Sequence, residues 1–120
     1  MIRQPVSQLA VGERLAVEEY LARVCHLFPE RILSVTLFGS RARGDADPES
    51  DVDLLLVVDS ESPEFRSQLW RIASDVSLEH NLVISVRVFA QERWAETRRL
   101  RLPFYRAVAA EGIPLLQESG

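Results

Sequence analysis

The feature that most constrains this sequence is a polar loop held between two apolar runs. Residues 39–53 (GSRARGDADPESDVD) follow the apolar run 32–38 and lead into a second apolar run, residues 54–58. Side chains at i and i+2 of a strand point to the same face, so Asp51 and Asp53 project together at the mouth of the second run. The pair predicts either a site for divalent cations or a solvated strand entrance at a sheet edge.

Length and charge restrict the class of protein. The 120 residues suit a single domain, residues 1–120, too short to hold a separate substrate lobe. The net charge of -4 argues against general nucleic-acid binding. All 14 cationic side chains are Arg, so no Lys is available as a phosphate ligand, Schiff base or general base.

Neither disulfide chemistry nor membrane insertion is indicated. Cys25 is the single cysteine, and His26 and His80 are too few to complete a zinc site with it. No apolar run approaches the roughly 20 residues that a bilayer requires, and the first 20 residues lack a signal-peptide core. We expect a cytoplasmic protein with no membrane segment.

The first half of the chain alternates helical and extended patterns. Residues 7–27 begin with a candidate cap at Ser7, end before Pro29, and place apolar side chains at helical spacing: Leu15, Ala16, Tyr20, Leu21, Val24 and Leu27. Residues 31–38 and 51–58 are β-branched and apolar, which predicts two buried strands. Between them, residues 45–50 (DADPES) have the composition of a turn.

The second half continues the alternation. Residues 62–79 predict a helix, and residues 82–89 (LVISVRVF) predict a strand with one apolar face and a second face that carries Ser85 and Arg87. Short helices are predicted over 91–99 and 103–111, and a short edge strand over 113–116. Strands that alternate with helices indicate an α/β (α+β) fold in which helices pack against a small sheet.

The two ends of the polar loop suit complementary parts of a nucleotide site. A strand that ends in Gly39-Ser40 lets the backbone approach a phosphate, to which nearby amides and the Ser40 hydroxyl can donate. Asp51 and Asp53 could bind Mg²⁺, which prefers carboxylate oxygens together with substrate phosphates. Arg41 and Arg43 would add fork-shaped donors for phosphate charge, although loop arginines are more commonly solvent-exposed.

These residues resemble a known family. Gly39-Ser40, a ten-residue interval and Asp51-x-Asp53, with flanking apolar strands and the inner Arg41, Arg43 and Gly44, are similar to the minimal nucleotidyltransferase domains of the polymerase beta superfamily. The resemblance implies a mixed β-sheet with flanking helices, Mg²⁺-dependent binding of ATP or another nucleoside triphosphate, and nucleotidyl transfer to a hydroxyl. It also implies a role as the antitoxin of a pair, with a helical HEPN-like toxin as the partner that is bound and adenylylated on tyrosine.

One position departs from the family pattern. Active members of the family carry a third carboxylate on a later strand, where this sequence offers Ser85 and Arg87. Serine is a weak metal ligand, and an arginine beside two aspartates competes with Mg²⁺ through an attraction of about 4 kcal/mol at 4 Å and an effective dielectric near 20. Three other residues could replace the third carboxylate by residue type alone: Asp59, Asp75 and Glu92.

Two classes of function follow. In the first, the protein is an enzyme that transfers a nucleotidyl group to a hydroxyl presented by another chain, because its own length leaves no room for an acceptor lobe. In the second, the fold is catalytically degenerate and acts as a protein-binding antitoxin or scaffold. The apolar and aromatic segment 94–116 is then the candidate contact surface, and the sequence leaves the oligomeric state open.

Overall fold

The structure is a computed structural model that describes residues 9–44 and 51–117. Five helices and four strands follow one another within these ranges: α1 (Val11–Leu27), β1 (Ile32–Phe38), α2 (Ser40–Arg43), β2 (Val52–Val58), α3 (Pro63–His80), β3 (Ile84–Ala90), α4 (Gln91–Arg99), α5 (Pro103–Glu111) and β4 (Ile113–Gln117). The α/β class with helices on a small sheet is thereby confirmed.

The four strands form one mixed sheet in the order β3-β2-β1-β4. β1 runs antiparallel to both β2 and β4, whereas β2 and β3 are parallel. The helix α3 provides the crossover that a parallel pair requires. The mixed sheet implied by the family resemblance is therefore confirmed, and β3 and β4 are its two edges.

Helices α1 and α3 cover one face of the sheet. Their apolar side chains join the inward residues of β1 and β2 in the main core, which includes Val17, Leu21, Leu37, Leu54 and Leu69. The buried hydroxyl of Tyr20 donates to the carbonyl of Leu69 at 3.1 Å and joins the two helices. The α3 helix is capped at its start: Ser62 accepts a hydrogen bond from the Phe65 amide, and Pro63 occupies the first turn.

Helices α4 and α5 cover the other face through an aromatic cluster. The rings of Phe104 and Phe38 meet edge to face at 5.2 Å, and Phe104 stacks on Phe89 at 5.7 Å. Trp94 joins them, over the buried side chain of Leu55. This face of β3 was predicted to carry polar groups at Ser85 and Arg87, and Phe89 on the same face packs in a second core. The segment 94–116 therefore contributes to the folded interior as well as to the surface.

The first helix differs from its prediction. It begins at Val11, with the Glu13 carboxylate accepting a hydrogen bond from the Ala10 amide at 2.8 Å. Leu15 and Leu27 were predicted to lie on the buried side but are 53% and 57% exposed. The predicted buried face of α1 was too wide, because only one side of the helix contacts the sheet and α3.

The other predicted elements agree with the structure to within about two residues. The largest difference is in the third strand, which begins at Ile84 rather than residue 82. The predicted cap at Ser7 and the predicted turn over residues 45–50 lie outside the described residues. Within the described ranges, none of the helices combines the length and apolar character needed to cross a membrane.

Candidate functional site

The candidate site lies where β1 ends and β2 begins. Because these strands are antiparallel, the last residue of β1, Phe38, pairs with Asp53 near the start of β2. The chain then leaves β1 through Gly39 and enters the one-turn helix α2. The register therefore brings the Gly-Ser turn beside Asp53, although fourteen positions separate Gly39 from this aspartate.

Gly39 permits a close approach of the backbone to Asp53. Its φ of 78° lies in the left-handed region, which side chains rarely adopt. A Cβ atom at this position would lie 2.5 Å from Asp53 Oδ2. Any larger residue must therefore displace the carboxylate, and glycine is required here by both conformation and space.

The two aspartates differ in their surroundings. Asp51 is exposed, whereas Asp53 is half-buried and points to the face covered by α5. Burial is the main cause that raises the pKa of Asp53, and the Asp51 carboxylate raises it further, against the opposing charges of Arg87 and Arg43. The site thus holds negative charge that it solvates poorly, which favours binding of a cation.

This raised pKa makes protein stability depend on pH. Between the ordinary value of 3.8 and the higher folded-state pKa, the folded protein retains a proton that the unfolded chain has lost, so stability falls as pH rises through this interval. We expect Asp53→Asn to melt at a higher temperature than wild type at pH 7 and at the same temperature below pH 3.8. Calorimetry in the presence of a chelator measures both; a lower melting temperature of the variant at pH 7 would contradict this assignment.

The two loop arginines form ion pairs with residues distant in sequence. Arg41 is only 8% exposed, and its guanidinium contacts the Glu13 carboxylate at 2.7 Å, which attaches α2 to α1. Arg43 contacts Glu111, the last residue of α5, at 3.1 Å. The charge of Arg43 also lowers the pKa of Asp53, so this arginine lies near the carboxylate pair. Phosphate binding by either arginine stays a prediction.

Ser85 occupies the position next to Asp53 on the neighbouring strand. The parallel register pairs Asp53 with Ser85 and Leu55 with Arg87, so all four side chains share the face covered by α5. Arg87 is exposed, and its guanidinium lies 4.7 Å from the centroid of the Phe104 ring. Of the two candidates for the third-carboxylate position, Ser85 therefore lies in register with Asp53 and Arg87 lies two residues farther along β3.

The three substitute carboxylates lie elsewhere. Asp59 follows the far end of β2, about 20 Å from Asp53 at 3.3 Å per residue, and pairs with Arg31 at 3.0 Å. Asp75 is exposed on α3, across the sheet from Asp53, and Glu92 lies in α4 beyond the distal end of β3. None of them completes the site, and the described residues contain no group of three metal-ligating side chains.

The donor set nevertheless suits a hard divalent cation. Two carboxylates project to one side of a strand mouth, one exposed and one half-buried, and Mg²⁺ is commonly held by one or two carboxylates with the remaining positions taken by water and substrate phosphates. The Gly39 backbone, packed against Asp53, fixes the orientation of one of these ligands. Asp51 and Asp53 therefore fit Mg²⁺ when a triphosphate supplies further oxygens.

Sequence reasoning missed the acidic partners of the loop. Glu13 and Glu111 hold Arg41 and Arg43, across separations of 28 and 68 positions. Gly112, which follows Glu111, leaves no room for a Cβ, which would lie 2.5 Å from the Val108 carbonyl oxygen and 2.8 Å from Thr36 Cγ2 on β1. No local pattern marks these glutamates, since both lie in ordinary helical sequence.

Comparison with known proteins gives a consistent result. The family model for the nucleotidyltransferase domain matches residues 17–112. A Methanocaldococcus jannaschii protein named "Putative protein adenylyltransferase MJ0604" is 29% identical over 102 residues, which cover 85% of this chain and 96% of that protein. A second protein of that organism, "Putative protein adenylyltransferase MJ0141", is 36% identical over 75 residues, or 61% of this chain and 75% of its own.

Solved structures share the fold. A structure described as "Structure of putative minimal nucleotidyltransferase" superposes with a TM-score of 0.53 at 24% identity, covering 91% of this chain and 99% of that chain. A second, described as "Crystal structure of the toxin-antitoxin with AMP-PNP", gives a TM-score of 0.54 at 18% identity, over 85% and 74% of the two chains. At these identities the likeness establishes the fold alone.

Proposed function

The chain belongs to the nucleotidyltransferase domain family, and from this premise we propose that it binds a nucleoside triphosphate with Mg²⁺ and transfers the nucleotidyl group to a hydroxyl of a partner protein. ATP, and hence transfer of AMP, is the proposed substrate, because relatives are named as protein adenylyltransferases and a structural neighbour is described with AMP-PNP. The proposed setting is a toxin-antitoxin pair in the cytoplasm, in which this chain is the antitoxin and a HEPN-like toxin is the acceptor.

The observation that carries the proposal is the contact between Gly39 and Asp53. A Cβ on Gly39 would lie 2.5 Å from Asp53 Oδ2, so the turn suited to phosphate and the carboxylate suited to Mg²⁺ adjoin each other. Two such elements brought together by an antiparallel register form a compact site for a metal-bound triphosphate. A solvated strand entrance would not require so close an approach.

Each proposed role follows from a residue's place in the site. The Ser40 hydroxyl and the amides of the turn after Gly39 donate to phosphate oxygens, and Arg43 balances their charge. Asp51 and Asp53 hold Mg²⁺, which when bound polarises phosphate oxygens and stabilises the leaving pyrophosphate. Arg41, buried against Glu13, is proposed to keep α2 in position and to act on phosphate mainly through its charge.

The test uses α-labelled ATP, Mg²⁺ and the purified product of the adjacent gene as acceptor. We expect the label to appear on the acceptor and to be lost when Mg²⁺ is chelated. Calorimetry should independently show ATP binding that strengthens in the presence of Mg²⁺. Absence of both label and Mg²⁺-dependent nucleotide binding would overturn the proposal.

The second candidate function is a catalytically degenerate antitoxin or scaffold, and the position of Ser85 favours it. Because Ser85 pairs in register with Asp53, a hydroxyl stands where a carboxylate could help to accept the proton of the attacking hydroxyl. In this case the protein binds its partner without modifying it. Partner binding that proceeds without nucleotide, with no label transferred, would support this second function.

A carboxylate at position 85 should increase transfer. We expect Ser85→Asp to raise the rate of label transfer by about 100-fold or more, since a positioned general base typically contributes 10²- to 10⁴-fold. The matched control is Ser85→Asn. Asparagine has nearly the same shape as aspartate but carries no charge, so this variant should transfer label at a rate close to that of wild type. Equal rates in the Asp and Asn variants, under saturating Mg²⁺, would show that the missing carboxylate does not limit transfer.

A further inference from the structure

A basic groove runs along the outer edge of β3. It has a volume of about 470 Å³ and lies between the N-terminal half of α3 and the start of α4. Its walls carry three arginines, Arg66, Arg87 and Arg93, together with Trp70 and the edge of β3. Trp70 is 47% exposed, so the groove presents an uncovered aromatic surface beside its cations.

The backbone of this edge is already engaged by side chains. Trp70 Nε1 donates to the carbonyl of Val86 at 3.1 Å, and Arg93 donates to the carbonyl of Val88 at 2.8 Å. The amide of Ala90 donates to the Glu61 carboxylate at 3.2 Å. Edge strands blocked in this way do not readily accept another strand, so an occupant of the groove is recognised through side chains.

The charge of the groove selects an anionic occupant. The carboxylate of Glu61 pairs with both Arg66 and Arg93, at 2.7 and 2.9 Å, and so compensates one positive charge. Among the residues that line the groove, two positive charges remain in excess, on a protein whose net charge is -4. One of them is that of Arg87, which also acts on the Asp53 carboxylate. Complementary charge across an interface guides partners into register and excludes those of the wrong sign.

The groove lies at the β3 edge of the sheet, on the side of Asp53 opposite to the Gly39 turn, and Arg87 is its residue on the same face as Asp53. In phosphoryl and nucleotidyl transfer the attacking and leaving oxygens are roughly in line. The Gly39 turn and α2 adjoin the β1 side of Asp53. If this turn holds the leaving pyrophosphate, as the proposed function requires, an in-line attack comes from the β3 side. Arg87, at the near end of the groove, is two residues along β3 from Ser85, about 7 Å at the spacing of a strand.

We propose that this groove is the docking site for an acidic segment of the partner protein, which presents its acceptor hydroxyl beside Ser85 and Asp53. The inference rests on the proposed transferase function, because that function sets the side from which the acceptor approaches. The preference for an acidic segment rests on the described arginine side chains of the groove. Acidic residues of the segment contact Arg66, Arg87 and Arg93, and Trp70 packs against the non-acidic part of the segment. The groove thereby provides recognition of the acceptor at the edge of the sheet next to the transfer site.

The first test of the groove is a peptide-binding assay in which no transfer reaction takes place. The probes are two fluorescent 12-residue peptides with one central Tyr, flanked by Glu in one and by Arg in the other, measured by anisotropy in the presence of a chelator and without nucleotide. We expect the acidic peptide to bind at least tenfold tighter. Arg87→Glu should weaken its binding about tenfold and Arg66→Gln about threefold, in line with exposed ion pairs.

The matched control is Arg98→Glu, which makes the same charge change at an exposed position of α4 outside the groove. It should leave acidic-peptide binding within twofold of wild type. If the Arg87 and Arg98 variants lose equal affinity for the acidic peptide, the effect is due to net charge alone, and the proposal is overturned. Tighter binding of a single-stranded oligonucleotide of equal charge, displaced from the same arginines, would overturn it in favour of nucleic acid.

Label transfer separates this inference from the proposed function. If wild type binds the acidic peptide through Arg87 yet labels no acceptor, the transferase proposal fails and the docking site stands. If wild type labels its acceptor and Arg66→Glu, which changes the groove on α3 away from the carboxylate pair, labels it as fast as Arg98→Glu, the docking site fails and the transferase proposal stands.

Discussion

Replacing Asp53 by Ala should reduce nucleotidyl transfer about a thousandfold or more. A metal held at the reacting phosphate supplies several kcal/mol of transition-state stabilisation, and each 1.36 kcal/mol corresponds to a factor of ten in rate. Asp53 is the half-buried member of the carboxylate pair and lies against the Gly39 backbone, so no neighbouring described side chain can take its place. The measurement is the initial rate of transfer from α-labelled ATP at saturating Mg²⁺.

The matched control for this loss is Asp75→Ala. Asp75 is exposed on α3, across the sheet from the site, so its removal changes the net charge equally and should leave the transfer rate within twofold of wild type. Circular dichroism should show that both variants remain folded. Transfer that persists in Asp53→Ala would remove the metal assignment from this residue.

Replacing Gly39 by Ala should damage both the site and the fold. The backbone conformation of Gly39, with φ of 78° and ψ of -157°, costs a non-glycine residue about 1–3 kcal/mol, and the added Cβ would lie 2.5 Å from Asp53 Oδ2. Relief of this clash moves the carboxylate, and a displacement near 1 Å typically costs about 10²-fold in rate. We expect a fall of about 100-fold in transfer with a loss of about 1–3 kcal/mol in the free energy of unfolding.

Gly12→Ala provides the opposite control within the same chain. Gly12 lies in the first turn of α1, and a Cβ there would meet nothing within 4 Å. Alanine is favoured over glycine in helices by up to about 1 kcal/mol, so this variant should be unchanged or slightly more stable, with normal transfer. Urea denaturation and the transfer assay measure both effects; a Gly39→Ala variant that behaves like Gly12→Ala would contradict the proposed packing of the site.

Local patterns were sufficient to predict most of the elements. β-branched, apolar runs indicated β1 and β2, alternation of apolar and polar side chains indicated β3, and helical spacing indicated α3. These signals reside within a few consecutive residues, and they act through backbone preference and side-chain direction. The limits of α1 were less well predicted, because burial of Leu15 and Leu27 depends on which sides of the helix meet other elements.

The site was predicted only in part. The spacing of Gly39-Ser40 and Asp51-x-Asp53 indicated which residues belong together, since a turn and a strand mouth on adjacent strands must meet. The pairing of Ser85 with Asp53 depended on a parallel register, which no stretch of sequence specifies. The same holds for the basic groove, where α3, β3 and α4 each contribute an arginine.

The sequence by itself determined the family, most of the strands and helices, and the residues that we propose hold a triphosphate and Mg²⁺, because each is encoded in spacing along the chain. Only the tertiary structure decided what surrounds them. Packing buries Arg41 against Glu13, brings Glu111 to Arg43, and sets the Asp53 carboxylate against a glycine that no other residue can replace. These contacts join positions up to 68 residues apart, and such distances are fixed by how the layers pack rather than by any local preference.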